Sequence, residues 1–152
     1  MKGDKIVAFC DRNCNVIAPF VRASANRNES VMLKSGIEKL AYNSKSIGFN
    51  LTGSIMSLDG VYNCRSNRKA IFNLKMKPNI PENKRNRKKT KRGKKQIYNQ
   101  RIFAERFRTI ERVFAWEDKF KRLLLRFEFL SNHHYAMKII AYSMINLRHF
   151  CG

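Results

Sequence analysis

Two apolar runs open the chain, Ile6 to Cys10 (IVAFC) and Val16 to Val21 (VIAPFV), on either side of the polar stretch Asp11 to Asn15 (DRNCN). Their β-branched and aromatic content around a polar turn predicts a β-hairpin, whose strands need a larger sheet to join. Next, Val31, Leu33, Ile37, Leu40 and Ala41 recur near helical spacing behind Asn28, a residue suited to an N-cap. A helix over Glu29 to Tyr42 follows, weakened a little by Gly36. Ile47 to Leu51 and Ser54 to Leu58 are short β-leaning stretches, and the second ends at Asp59-Gly60, a pair that favours a turn. Asp59 is thereby placed at a strand terminus. Asn63 to Leu74 fits a second helix, with Ala70, Ile71 and Leu74 apolar and Arg65, Arg68 and Lys69 cationic.

The character of the chain then changes. Between Glu82 and Lys95 stand nine Lys or Arg, one acid and no apolar side chain. Such a segment has nothing to bury, so residues 82–98 are expected to form a basic flexible loop within a single domain spanning 1–152. Arg101 to Leu130 carries the longest helical pattern, starting with Phe103, Phe107, Ile110 and Phe114 on one face. Val113, Trp116, Phe120, Leu124 and Phe127 form a second stripe rotated from the first, as a bend near Ala115 to Asp118 would produce. The final segment, Tyr135 to Leu147, is apolar nearly all round and suits a buried helix; it is too short to span a bilayer.

Composition sharpens this picture mainly through charge. An apolar content of 43% over 152 residues is enough for a core, but 32 Lys and Arg against 11 Asp and Glu leave a net charge of +21. A compact body of that charge repels itself unless a polyanion neutralises it, which points to nucleic acid. The four cysteines, Cys10, Cys14, Cys64 and Cys151, make no Cys-x-x-Cys pair, and His133, His134 and His149 do not accompany one, so no zinc site is expected. With no secretory leader and no membrane span legible, the expectation is a bacterial cytoplasmic protein with reduced thiols and no membrane partner.

A carboxylate at a strand end and another on a long helix can together hold a divalent cation, because hard Mg²⁺ takes oxygen ligands and phosphoryl transfer gains from neutralised phosphate charge. The strings around the two acids carry a resemblance. SLDGVYNCRSNRK (57–69), then KPNIP (77–81), the basic run and FAERFRTIERVFAWEDKFKRLLLRFE (103–128) resemble the C-terminal catalytic region of insertion-sequence transposases of the DDE type, in which an Asp-x-x-Tyr segment and a Glu-Arg-x-x-x-Trp helix recur in that order. The opening KGDKIVAFCDRNCNVIAPFVRASAN (2–26) also resembles that family's hairpin, so the likeness covers nearly the whole chain.

The resemblance implies an α/β, incomplete ribonuclease-H-like fold, with an N-terminal hairpin and short strands followed by long C-terminal helices. It makes Asp59 the second and Glu111 the third acid of a catalytic triad that holds two Mg²⁺ ions during DNA strand cleavage and transfer. The family's first acid lies on a strand upstream of the hairpin, and neither Asp4 nor Asp11 replaces it; Asp11 matches a turn residue. The expectation is a truncated fragment, inactive alone and destabilised unless another chain supplies the strand. Asn63 stands where the family often has Asp, Arg27-Asn28 where it has His-Asp, and Arg106 and Arg108 flank the position of its supporting arginine.

For DNA, the expected phosphate contacts are Lys84, Arg85, Arg87, Lys88, Lys89, Lys91, Arg92, Lys94 and Lys95 in the basic run. Arg65, Arg68, Arg108, Arg112, Lys119, Lys121 and Arg122 are candidates to line the strand path, and Trp116 to stack on a base unless it packs in the core. Expected partners are transposon-end DNA and either full-length transposase or a second copy in a homodimer. Two other readings use the same residues: a basic nucleic-acid-binding protein in which Asp59 and Glu111 are incidental, and a structural partner of intact transposase.

Overall fold

The computed structural model describes residues 4–83, 96–124, 128–148 and 151. It is a mixed α/β structure. The hairpin forms from β1 (Asp4–Cys10) and β2 (Val16–Ser24), paired antiparallel. Asp11 builds its turn: the carboxylate accepts from the backbone N–H of Asn13 and Asn15 at 2.9 and 2.8 Å and from the Asn15 side chain at 3.0 Å. This leaves Cys14 in the left-handed region at φ 64°. The register slips between Val7 and Phe9, opposite the stretch containing Pro19, which has no N–H to give the ladder.

Both faces of the hairpin are covered. Val7, Phe9, Ile17, Val21 and Ala23 pack into one apolar cluster, and Ile6, Ala8, Cys10, Val16 and Phe20 into a second. That explains why both strands read as unbroken apolar runs, since a sheet covered on two sides loses the alternation of polar and apolar positions. The first cluster is completed by Met32, Leu33, Ile37 and Leu40 of α1 (Glu29–Ser46). Asn28 caps α1 by accepting from Ser30 N at 2.9 Å. A Cβ on Gly36 would lie 3.2 Å from the Phe9 ring and 3.4 Å from Val7, so the residue that weakens the helix is the one that lets it approach β1.

The strand expected over Ile47 to Leu51 does not form. Helix α1 runs on through Ser46 and ends in a glycine cap: Gly48 takes φ 70°, and its N–H and that of Phe49 bond back to Lys45 and Ser44 carbonyls. Ile47 and Phe49 stay exposed. The second β-leaning stretch does become a strand, β3 (Ile55–Ser57), followed by a short 3₁₀ turn (Gly60–Tyr62) and α2 (Arg65–Asn73). Its partner is β4 (Lys77–Asn79), aligned parallel, a strand that the sequence Lys-Pro-Asn does not announce. Asn67, buried, ties α2 down by donating to Ser30 O, Ser30 Oγ and Tyr62 O at 3.3, 3.0 and 3.1 Å.

The long helical pattern expected from Arg101 to Leu130, with a bend near Ala115 to Asp118, is broken into more pieces. These are α3 (Gln100–Ala104), a 3₁₀ turn (Glu105–Arg108), α4 (Ile110–Glu117) and α5 (Lys121–Leu124). Thr109 marks the main break, at φ −119° and ψ −95°, with its hydroxyl bonded back to Glu105 O at 3.1 Å. A threonine that satisfies itself on a preceding carbonyl competes with the helix ladder. Because of this break the Phe103, Phe107, Ile110, Phe114 stripe does not act as one face, and Phe107 is 64% exposed. The second break, expected near Ala115 to Asp118, falls at the far end of that range, where α4 stops at Glu117.

Helix α6 (Ser131–Leu147) and α4 cover the other hairpin face through Val113, Tyr142 and Ile145. It is buried on one side only; Ile140, Met144 and Leu147 are exposed, so the all-round burial expected of this segment is corrected. No helix among the described residues is long and apolar enough to cross a membrane.

Candidate functional site

A cavity of about 700 Å³ opens between β1 and β3, and both Asp59 and Glu111 line it. Asp59 follows β3 and caps the 3₁₀ turn, its carboxylate accepting from Gly60 N at 2.7 Å. The 3₁₀ turn before α4 brings Arg106 alongside, with Nη1 3.6 Å from Asp59 Oδ2. The Arg106 guanidinium lies over the rings of Phe103 and Phe107, at 4.6 and 5.0 Å from their centres. Glu105, next to it, takes two hydrogen bonds from the Arg12 guanidinium, both 2.9 Å. Glu111 is exposed in the first turn of α4, where a carboxylate also meets the positive end of the helix dipole.

The charge of this cavity runs against that of the chain. Among the described residues, five acids line it, Asp11, Glu29, Asp59, Glu105 and Glu111, against two cations, Arg12 and Arg106. Tyr62 feels this concentration: burial pushes its phenol up to about 12, and the carboxylates of Glu29 and Asp59 push the same way.

Asn79 is what holds the C-terminal segment against the site. Buried at the end of β4, it donates to Ser57 Oγ at 3.2 Å and to Asn99 O at 3.1 Å, and accepts from Asn99 N at 2.8 Å. Asn99 then caps α3 through bonds to Arg101 and Ile102 N–H. The chain that left β4 is thereby returned beside it, and Glu105, Arg106 and Glu111 follow.

The expected cationic residues are not equivalent. Arg68 is half buried and structural, donating to Asn63 Oδ1 at 3.0 Å and Ile80 O at 2.8 Å; burial lowers its pKa, opposed by Glu82. Arg65, Lys69, Arg108, Arg112, Lys119 and Lys121 are exposed. Trp116 packs against the cluster around Phe20 and Val113, with the guanidinium of Arg148 4.2 Å and that of Arg112 5.9 Å from its ring centre. Lys84, Arg85, Arg87, Lys88, Lys89, Lys91, Arg92, Lys94 and Lys95 lie outside the described residues, as do Phe127 and the side chains of Arg122 and Leu124.

Sequence reasoning missed Arg12, Glu105, Asn79 and the buried group Glu117, Lys138 and Tyr142, in which the lysine and the phenol both donate to the Glu117 carboxylate. A long helix from Arg101 hides the Arg12 to Glu105 pair by pointing Glu105 elsewhere. The buried group left a faint signal, Lys138 as the one charged side chain within Tyr135 to Leu147.

As a divalent-metal site the arrangement is incomplete. Among the described residues no three His, Cys, Asp or Glu side chains gather around one point, and Arg106 stands beside the Asp59 carboxylate where a cation would bind. The described residues therefore do not by themselves fit the two Mg²⁺ ions that the transposase resemblance implies. No protein-family model, curated protein or solved structure matches the chain.

Proposed function

We propose that this chain is a DNA-binding part of a transposase-type catalytic domain of ribonuclease-H-like architecture, with Asp59 and Glu111 as two of its acids, and that it does not cleave DNA alone. One observation carries the reading: acids from elements far apart in sequence converge on one cavity in a chain whose net charge is +21. Random placement would scatter so few acids among so many cations. The affinity for DNA comes from counterion release by the exposed cations, which gives strength without sequence choice. Arg106, paired with Asp59, holds that carboxylate in place and occupies it. Strand cleavage through metal needs a further carboxylate from outside the described residues, so no cleavage step is assigned to this chain.

The test is a pair of measurements. Binding to labelled duplex ends is expected to weaken by about a thousandfold or more between roughly 50 and 200 mM salt, as a protein contacting many phosphates does. A longer chain carrying an additional strand and acid ahead of Met1 is expected to nick those ends in Mg²⁺, and Asp59→Ala or Glu111→Ala to abolish nicking while leaving binding intact. Nicking indifferent to both substitutions refutes the site. The Arg106 to Asp59 pair favours one second reading, a non-catalytic basic nucleic-acid-binding protein, for which no extension produces nicking and binding ignores Mg²⁺.

A further inference from the structure

Asn67 and Ile71 anchor the inner side of α2, and both are buried. On the opposite side Arg65, Lys69 and Phe72 follow one another at i, i+4 and i+7, so they form one outward row about 10 Å long at the helical rise. All three are exposed, Phe72 by 60%, and its ring lies outside both apolar clusters. No acid of this segment interrupts the row. From Cys64 to Pro81 the sequence holds Arg65, Arg68, Lys69, Lys75 and Lys77, and no Asp or Glu. Arg68 is engaged by Asn63 and Ile80, and the other four cations are exposed.

The end of the helix adds a second observation. Its backbone closes with Lys75 N–H bonded to Phe72 O at 2.8 Å and Met76 N–H bonded to Ile71 O at 3.3 Å, which puts Lys75 in the left-handed region at φ 57°. Glycine takes this position without strain, because it has no Cβ to crowd the backbone, and Gly48 does so after α1 at φ 70°. Lys75 accepts the strain and sets an exposed ammonium just past Phe72. Residues held in such sparsely populated conformations cluster where a side chain is used.

We propose that the outward row of α2 binds an unpaired strand of DNA, with Phe72 stacked on the face of one base and Arg65, Lys69 and Lys75 on the phosphates to either side. The proposal rests on the DNA-binding reading above and adds the form of DNA that this surface takes. Cations attract duplex and single strand alike, since both carry phosphate. A ring stacks only on a base whose face is free, and inside a duplex each base is already stacked on its neighbours. The aromatic in a row of cations therefore selects the unpaired strand, and it does so without sequence choice because every base has such a face.

Fluorescence anisotropy with the full chain tests it, using a labelled single strand of about 16 nucleotides and the same sequence as a blunt duplex. Phe72→Leu is expected to weaken single-strand binding by about tenfold and leave duplex binding unchanged, while Phe72→Tyr binds the single strand as the parent does. Lys75→Gly is expected to raise Tm by relieving the backbone, yet to weaken both forms and flatten their salt dependence by about one phosphate contact. If Phe72→Leu weakens neither form, or both equally, the proposal is overturned, and duplex binding that persists leaves the DNA-binding reading standing. If the parent binds neither form, both readings fall together. A Lys75→Gly variant that is more stable and binds as tightly as the parent overturns the phosphate path. Polyglutamate stands in for an acidic protein, and binding to it with the same dependence on Phe72 overturns the proposal in favour of a protein partner.

Discussion

Replacing Asn79 by Ala tests how the candidate site is held together. The side chain is 4% exposed and makes three hydrogen bonds, to Ser57 Oγ and to both the N–H and the carbonyl of Asn99. A buried hydrogen bond contributes about 1 kcal/mol net, and a partner left unsatisfied in the interior costs about 1–3 kcal/mol. Asn99 is exposed enough for water to take over its backbone groups, so the lower end applies and the loss is about 3 kcal/mol. For a domain of this size that lowers Tm by roughly 6–12 °C. The loss has a direction as well as a size. Asn79 fixes the segment that carries Glu105, Arg106 and Glu111, so exchange of the α3 amides quickens far more than that of α1. Asn99→Ala serves as the comparison: it removes the cap of α3 but leaves the backbone groups that Asn79 binds, and costs about 1 kcal/mol. Thermal unfolding followed by circular dichroism, with hydrogen exchange on both variants, makes the measurement. If Asn79→Ala costs no more than Asn99→Ala, or loosens α1 as much as α3, Asn79 does not hold the site and the reasoning fails.

Two further outcomes are expected. Lys138→Met strands the buried Glu117 carboxylate with only the Tyr142 hydroxyl and costs about 3–5 kcal/mol, whereas Glu117→Leu combined with Lys138→Met recovers most of it; urea midpoints decide, and equal losses for single and double variants count against an ion pair. Burial pushes the Cys10 thiol from 9.0 to about 12, so the folded protein keeps a proton that the unfolded chain releases above pH 9.0. That stabilisation is complete below pH 9.0 and is lost as pH rises toward 12, so Cys10→Ala flattens the alkaline fall in stability, and an unchanged slope in urea titrations at several pH values contradicts the assignment.

The parts of this protein that sequence determined are those set by local chemistry. The hairpin was legible because its strands are apolar on both faces, and Asp11 because a short carboxylate can satisfy the N–H groups of its own turn. The α1 cap at Asn28 and the position of Asp59 beyond a strand follow from the same short-range rules. Where tertiary contacts outweigh propensity, the sequence misled. Apolar periodicity promised a long helix from Arg101 bent only near Ala115 to Asp118, but Thr109 turns its hydroxyl to the preceding carbonyl, and Glu105 and Arg106 are drawn to Arg12 and Asp59. No local pattern contains those two partners, because they come from the other half of the chain. The strand at Lys77–Asn79 likewise exists through its pairing with β3 and not through its residues. Charge could be counted from the sequence, but its distribution could not: the gathering of acids on one cavity of a cationic protein, and the choice of Arg106 over Arg108 beside Asp59, depend on distances that only the folded chain sets.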